Sequence, residues 1–197
     1  WLNDKGVTVF VLKYRLGHLS SNKPLLELSQ KMKDNDQFNK DSEGIIRLAI
    51  ADGKAAINYV RKHAGEWGIR TNQIGIMGFS AGGTVAIGAA WYDKKESRPD
   101  FVAAIYPYAG YVAQSIVPQD APPIFIAAAS DDKFGFNKEC INLYNQWSDA
   151  KQSAELHIYR KGNHGFGIDK NSYPTCLWID TFNEWLKDLL KGLYVKK

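Results

Sequence analysis

The chain has 197 residues, a net charge of +4, 45% hydrophobic residues and 2 cysteines. That length fits one domain with a sizeable core, and no apolar run approaches the roughly 20 residues of a membrane span. The lysines are scattered, without stacking aromatics or a recognisable module, so the charge reads as a solvated surface rather than a nucleic-acid site. Cys140 and Cys176 are too few for a disulfide framework and assign no compartment.

The apolar run Val7 to Tyr14 reads as a strand, and His18 follows its end. Gly17 to Ser42 shows no clear element and is polar and lysine-rich at KMKDNDQFNKD. A loop of that length is usually functional or mobile; at the rim of a site it either shapes substrate access or is a surface insertion. Glu43 to Gly65 spaces Ile46, Ala49, Ala56, Tyr59 and Val60 as a helix does, with His63 towards its end.

Gln73 to Gly78 reads as a short buried strand, and Ala81 to Tyr92 (AGGTVAIGAAWY) as a helix whose Gly and Ala face lies tight on a sheet. Between them, GFSAGG fits G-x-S-x-G. In a nucleophile elbow the serine occupies a sharp strand-to-helix turn, so the residues two positions away on each side need to be nearly free of side chain. The bland alternative is a glycine-rich turn that met a serine by chance; the flanking strand and helix argue against it.

Phe101 to Tyr106 is the next strand, which delivers Tyr108 and Tyr111 to its carboxyl end. Rings there either pack a sugar or aromatic acyl group or belong to the core. Pro123 to Ala129 is a strand that runs into Ser130-Asp131-Asp132, and open parallel sheets gather functional groups at that end. Asn137 to Lys151 has helical spacing. Glu155 to Tyr159 is a strand with His157 inside it, followed by KGNHGFG, where glycines flank His164 and Phe166 packs the loop. Thr175 to Leu190 reads as the last helix. Strands alternating with helices predict a mostly parallel sheet with helices on both faces, in a single domain over residues 1–197.

Serine, then acid, then histidine is the α/β-hydrolase chain order. In that arrangement Ser80 attacks a carbonyl carbon, and His164 takes its proton and later gives it to the leaving group. An aspartate holds the imidazole tautomer. Asp132 is preferred because the chain has left the strand by then; Asp131 stays open, with loop capping as the role of whichever is unused. His18, His63 and His157 read as structural. The amide of Ala81, the residue after the nucleophile, is the one identifiable oxyanion donor. This chemistry calls for no metal and no organic cofactor.

With these motifs together, the chain resembles the bacterial α/β-hydrolase esterases of the acetyl xylan esterase and feruloyl esterase type. The resemblance spans nearly the whole chain, through GVTVFVLKYRL, AAINYVRKHAGEWGI, NQIGIMGFSAGG, RPDFVAAIYPYAG, APPIFIAAASDD and AELHIYRKGNHGFG. It implies carboxylic ester hydrolysis with Ser80, Asp132 and His164 as triad, acting on acetylated or feruloylated plant polysaccharide fragments.

The departures matter too. Such relatives carry upstream strands and a glycine-rich loop, usually HGGG or PGGG, whose amides supply part of the oxyanion hole; this chain has neither. Losing one oxyanion donor costs about 2.7–4 kcal/mol of transition-state stabilisation. The resembled fold also has a strand between Val7–Tyr14 and Gln73–Gly78, so the apolar run would lack a partner, an aggregation hazard. The expectation is therefore a fragment of a longer enzyme. The alternatives are direct pairing of the two strands, or a second copy filling the gap in a homo-oligomer. Two other functions stay open: a serine peptidase of the prolyl oligopeptidase type, which usually shows tyrosine where this chain has Ala81, and a catalytically impaired relative acting as a binding protein.

Overall fold

Among the described residues four short apolar segments align side by side, all parallel and in chain order: β1 (Gly75–Phe79), β2 (Phe101–Ile105), β3 (Ile124–Ala129) and β4 (Ala154–Tyr159). The computed structural model describes residues 1–18, 22–91, 95–112, 116–168 and 174–195. Among these residues five α-helices accompany the strands: α1 (Pro24–Lys31), α2 (Asn35–Lys62), α3 (Ala81–Ala90), α4 (Phe136–Asp149) and α5 (Trp178–Val195). Successive residues of a strand point to opposite faces, and here both faces are apolar. Val102, Ala104, Ile124, Ile126 and Ala128 pack with Ile50 of α2, Ile87 of α3, and Cys140, Leu143 and Trp147 of α4. Ala103, Ile105, Phe125, Ala127 and Ala129 pack with Trp178, Phe182 and Leu186 of α5.

All of β3 is buried, as expected of a central parallel strand covered on both sides. Side chains such as Phe125, Ile124 and Ile126, each at 0% exposure, contribute about 1.5–3 kcal/mol apiece. Trp147, also at 0%, stands edge-on to Trp91 at 4.8 Å, and its indole N–H donates to the Pro122 carbonyl at 3.0 Å. The α/β class, the parallel sheet and the helices on both faces match the sequence expectation.

The expected strand Val7–Tyr14 does not form. Those residues join no ladder, and Val9, Phe10 and Val11 are 43%, 49% and 95% exposed. A strand is fixed by hydrogen bonds to a neighbour, and β1 is an edge that pairs only with β2 among the described residues. Direct pairing of the two segments does not occur. The segment is held instead by side chains: Val7 packs on the α5 side of the core, Phe10 lies 4.9 Å from the Trp67 ring, and the Arg15 guanidinium grips Asp52 of α2 at 2.6–3.0 Å.

Gly17–Ser42 is not the loop expected. Residues 19–21 lie outside the described residues, but the rest is mostly helical: α1 starts on Pro24, and α2 begins eight residues before the expected Glu43. The sequence carries the reasons. Proline suits the first turn of a helix, where its missing N–H is no loss. The Asp34 carboxylate caps α2 by accepting the Gln37 amide at 3.0 Å. Glu27 and Lys31 pair across one turn of α1. Of the helix expected to reach Tyr92, α3 stops at Ala90, and Tyr92 lies outside the described residues.

Candidate active site

β1 ends at Phe79 and α3 begins at Ala81, so Ser80 alone makes the turn between them. Its backbone sits at φ 53°, ψ −119°, a sparsely populated region that costs a residue with a Cβ about 1–3 kcal/mol. The turn is pinned from both sides: the Ser80 N–H donates to the Ile105 carbonyl at 2.9 Å, and the Ser80 carbonyl accepts from the Thr84 amide at 3.2 Å. A Cβ on Gly78 would stand 2.0 Å from the Gly82 carbonyl oxygen, so glycine is required there. On the helix side the crowded position is Gly83, whose Cβ would meet Pro107 at 2.7 Å. Gly82, the last residue of the five-residue motif, has room: the nearest atom to a Cβ there is the Tyr14 hydroxyl at 3.8 Å. The motif's need for bareness therefore holds at Gly78 and passes from Gly82 to Gly83.

His164 arrives on the loop after β4 and Asp132 on the loop after β3. Ser80 Oγ lies 2.9 Å from His164 Nε2, and His164 Nδ1 lies 2.8 Å from Asp132 Oδ2. A carboxylate only accepts, so Nδ1 carries the proton and Nε2 is left to accept from the Ser80 hydroxyl. The second Asp132 oxygen accepts the Phe134 amide at 2.8 Å. The Asp132 side chain has 0% exposure and that of His164 11%. Asp131 is directed elsewhere: its Oδ1 accepts the amides of Gly162 and Asn163 at 2.9 and 2.7 Å. Of the two aspartates, then, Asp132 meets the imidazole.

Three rings surround that imidazole edge-on: Tyr106 at 4.9 Å, Phe134 at 4.8 Å and Phe136 at 5.2 Å. They exclude water and lower the local dielectric, which strengthens both histidine hydrogen bonds. The Tyr106 hydroxyl accepts the Gly167 amide at 3.3 Å, and burial pushes its phenol above the ordinary value. Sequence reasoning passed over these rings, although Phe134-Gly135-Phe136 directly follows the acid and Tyr106 ends a strand at the site. Phe166 packs the histidine loop as expected, buried 4.6 Å from the Tyr106 ring.

Ala81 is the first residue of α3, where amides have no acceptor within the helix and can meet an anion. Tyr108 is buried; its ring lies 5.3 Å from Phe136 and 5.6 Å from Phe38, and its hydroxyl donates to Asn39 Oδ1. The Tyr111 hydroxyl accepts from Arg47 Nε at 3.0 Å. Both tyrosines thus lean on α2. The loop that carries them is also held by Glu139 of α4, which accepts the Ala109 and Gly110 amides at 2.6 and 2.9 Å. Burial raises the Glu139 carboxyl, and the two amides oppose that rise. Away from the site, His63 pairs with Glu66 and His157 with Glu155, and His18 is exposed. A cavity of about 210 Å³ lined by Arg98, Asp100 and Asp120 sits at the amino ends of the strands, opposite the triad. Among the described residues no three His, Cys, Asp or Glu side chains gather as a metal ion would need, and no helix is long and apolar enough to cross a membrane.

A strained serine between a parallel strand and a helix, reached by a histidine and a buried aspartate from later strand ends, defines an α/β-hydrolase. The sequence pattern of the dienelactone hydrolase family matches residues 27–188, and the chain belongs to that family. An acetylxylan esterase of Xylanibacter ruminicola is 26% identical over 219 residues, covering 96% of this chain and 39% of that protein. Among solved structures, an acetyl ester-xyloside bifunctional hydrolase of Caldicellulosiruptor lactoaceticus superposes with a TM-score of 0.66 at 22% identity, over 72% of this chain and 66% of that one. An α/β hydrolase from a Medee basin deep-sea metagenome library gives 0.66 at 24% identity, over 73% and 65%. The chain thus spans about two-fifths of the esterase it matches, and these proteins are hydrolases and esterases.

Proposed function

We propose that this chain carries the catalytic machinery of a serine carboxylesterase acting on small or carbohydrate-linked esters, without metal or organic cofactor. The observation that carries the reading is the relay from Ser80 Oγ through His164 to Asp132, at 2.9 and 2.8 Å on a strained elbow. Ser80 attacks the ester carbonyl as His164 Nε2 takes its proton. The imidazolium that forms lies against the buried Asp132 carboxylate, and the Ala81 amide donates to the oxyanion. His164 then protonates the leaving alcohol, giving an acyl-serine. Water deprotonated by His164 releases the acid in a second passage through the same geometry.

An acetyl or feruloyl group linked to a sugar is the proposed substrate. The acetylxylan esterase relative supports the acetyl group, and the rings beside the histidine loop support an aromatic acyl group. Tyr108 and Tyr111 are proposed to line the substrate side, since Tyr108 touches Phe136 and Phe136 touches His164. Residues 1–197 are read as one domain.

Hydrolysis of 4-nitrophenyl acetate by wild type and by Ser80→Ala tests this. Turnover that disappears with the hydroxyl is the expected result, and equal rates would end the hydrolase reading. Cleavage of proline-containing amides in preference to esters would replace it with a peptidase.

A further inference from the structure

Asp131 and Asn163 flank the two residues that meet in the relay, and neither touches Ser80 or takes part in the proposed chemistry. Their hydrogen bonds nevertheless converge on the backbone that carries His164. Asp131 Oδ1 accepts two consecutive amides of the histidine loop, Gly162 at 2.9 Å and Asn163 at 2.7 Å. The third amide in that row, His164 N–H, donates to Asn163 Oδ1 at 2.7 Å, and the same oxygen accepts Lys133 N–H from the acid loop at 3.2 Å. One carboxylate thus runs from the acid loop to the histidine loop, and one side-chain amide runs back.

Two further details fit a clamp. Asn163 holds φ 55°, a left-handed conformation that asparagine tolerates better than most residues, and its side chain turns onto the backbone on both sides. Gly162 brings the loop in so closely that a Cβ there would lie 2.4 Å from Thr175 Cγ2 and 3.2 Å from Ala129 Cβ. The loop is therefore wedged on one side by Thr175 and Ala129, and held on the other by Asp131.

We propose that Asp131 and Asn163 form a clamp that locks the acid loop to the histidine loop and sets the distance between His164 and Asp132. They are positioning residues for the proposed hydrolysis and rest on that reading for their effect on rate. An imidazole and its carboxylate carried on two loops that shift independently would leave their productive geometry, and misplacement by about 1 Å costs around 10²-fold in rate. Substrate contacts are not involved, so the loss falls on kcat and leaves KM nearly unchanged.

The test combines turnover with a signature of the His164–Asp132 bond in the resting enzyme, the low-field proton resonance of Nδ1–H. Asp131→Ala and Asn163→Gly are expected to lower kcat on 4-nitrophenyl acetate by at least tenfold, with KM within about twofold. Both should broaden or abolish the resonance while the protein still unfolds cooperatively. Asp131→Asn keeps an oxygen in place and should recover to within about threefold of wild type. Wild-type kcat and an unchanged resonance in Asp131→Ala and Asn163→Gly would overturn the clamp. So would an Asp131→Asn variant as impaired as Asp131→Ala, since the acceptor geometry would then not be what matters. If Ser80→Ala hydrolyses as well as wild type, the esterase reading falls, and the resonance in the Asp131 and Asn163 variants still decides the clamp.

Discussion

The Asp132 carboxylate, with no exposed surface, faces His164 Nδ1 at 2.8 Å while its other oxygen accepts the Phe134 amide. Both oxygens act as acceptors, which fixes the proton on Nδ1 and turns the lone pair of Nε2 towards Ser80.

Asp132→Asn preserves the shape and reverses one of those roles. Its NH₂ group facing the ring makes Nδ1 an acceptor and moves the proton to Nε2, where it can no longer receive the serine proton. On the esterase reading kcat for 4-nitrophenyl acetate falls by something of order 10⁴. A loss of less than tenfold would remove Asp132 from the machinery.

The two outer glycines of the elbow motif should behave oppositely. Ala at Gly78 places a Cβ 2.0 Å from a backbone oxygen that has no side-chain freedom to retreat. It should destabilise by about 1–3 kcal/mol or more and displace Ser80. Gly82→Ala meets nothing closer than 3.8 Å and sits in a helix, so it should be neutral or stabilise by up to about 1 kcal/mol. Urea midpoints of the two variants check this; equal losses would mean that the motif acts through something other than steric crowding.

Glu139 makes stability depend on pH. Burial raises its carboxyl in the folded protein above the value it has when unfolded. Below the unfolded value both states are protonated and the group costs nothing. As pH rises through the folded value, the unfolded state has already gained its charge in water while the folded state takes on a charge it solvates poorly, so stability is lost. Glu139→Gln keeps an oxygen for the Ala109 and Gly110 amides without that charge. Its Tm relative to wild type should therefore climb between about pH 4 and neutrality. Thermal melts across that range check the sign, and a difference that shrinks as pH rises would contradict it.

Trp147 anchors α4 to the sheet. Trp147→Ala removes a fully buried ring and leaves the Pro122 carbonyl without its indole donor. The expected loss is about 3–5 kcal/mol in urea unfolding, with Trp147→Phe losing less because most of the volume remains.

Much of the site was legible because its chemistry is local. Ser80 needs Gly78 two residues away, His164 sits between glycines, and the acid follows an apolar strand, so each piece is written within a few residues. The sequence favours Asp132 over Asp131 but leaves the second open, because adjacent residues in a loop differ mainly in which way the backbone turns them. The helices α1 and the start of α2 were hidden for a different reason. Their sequence is polar because so much of it faces water, so hydrophobic periodicity is weak where Asp34 and Pro24 supply the start signals. The Val7–Tyr14 run shows the converse error, since β-branched and aromatic residues state a preference for a strand and only a neighbour with free hydrogen bonds makes one.

The parallel α/β architecture, the elbow and the histidine are already written in the residues. These depend on periodicity and short-range sterics that a chain carries wherever it is. That Asp132 rather than Asp131 meets His164, that Tyr106, Phe134 and Phe136 enclose the imidazole, and that Tyr108 and Tyr111 lean on α2 emerges only when the chain is packed. Those outcomes depend on where loops from three different strand ends arrive in space. That is set by the packing of the whole sheet against its helices and by no stretch of residues alone.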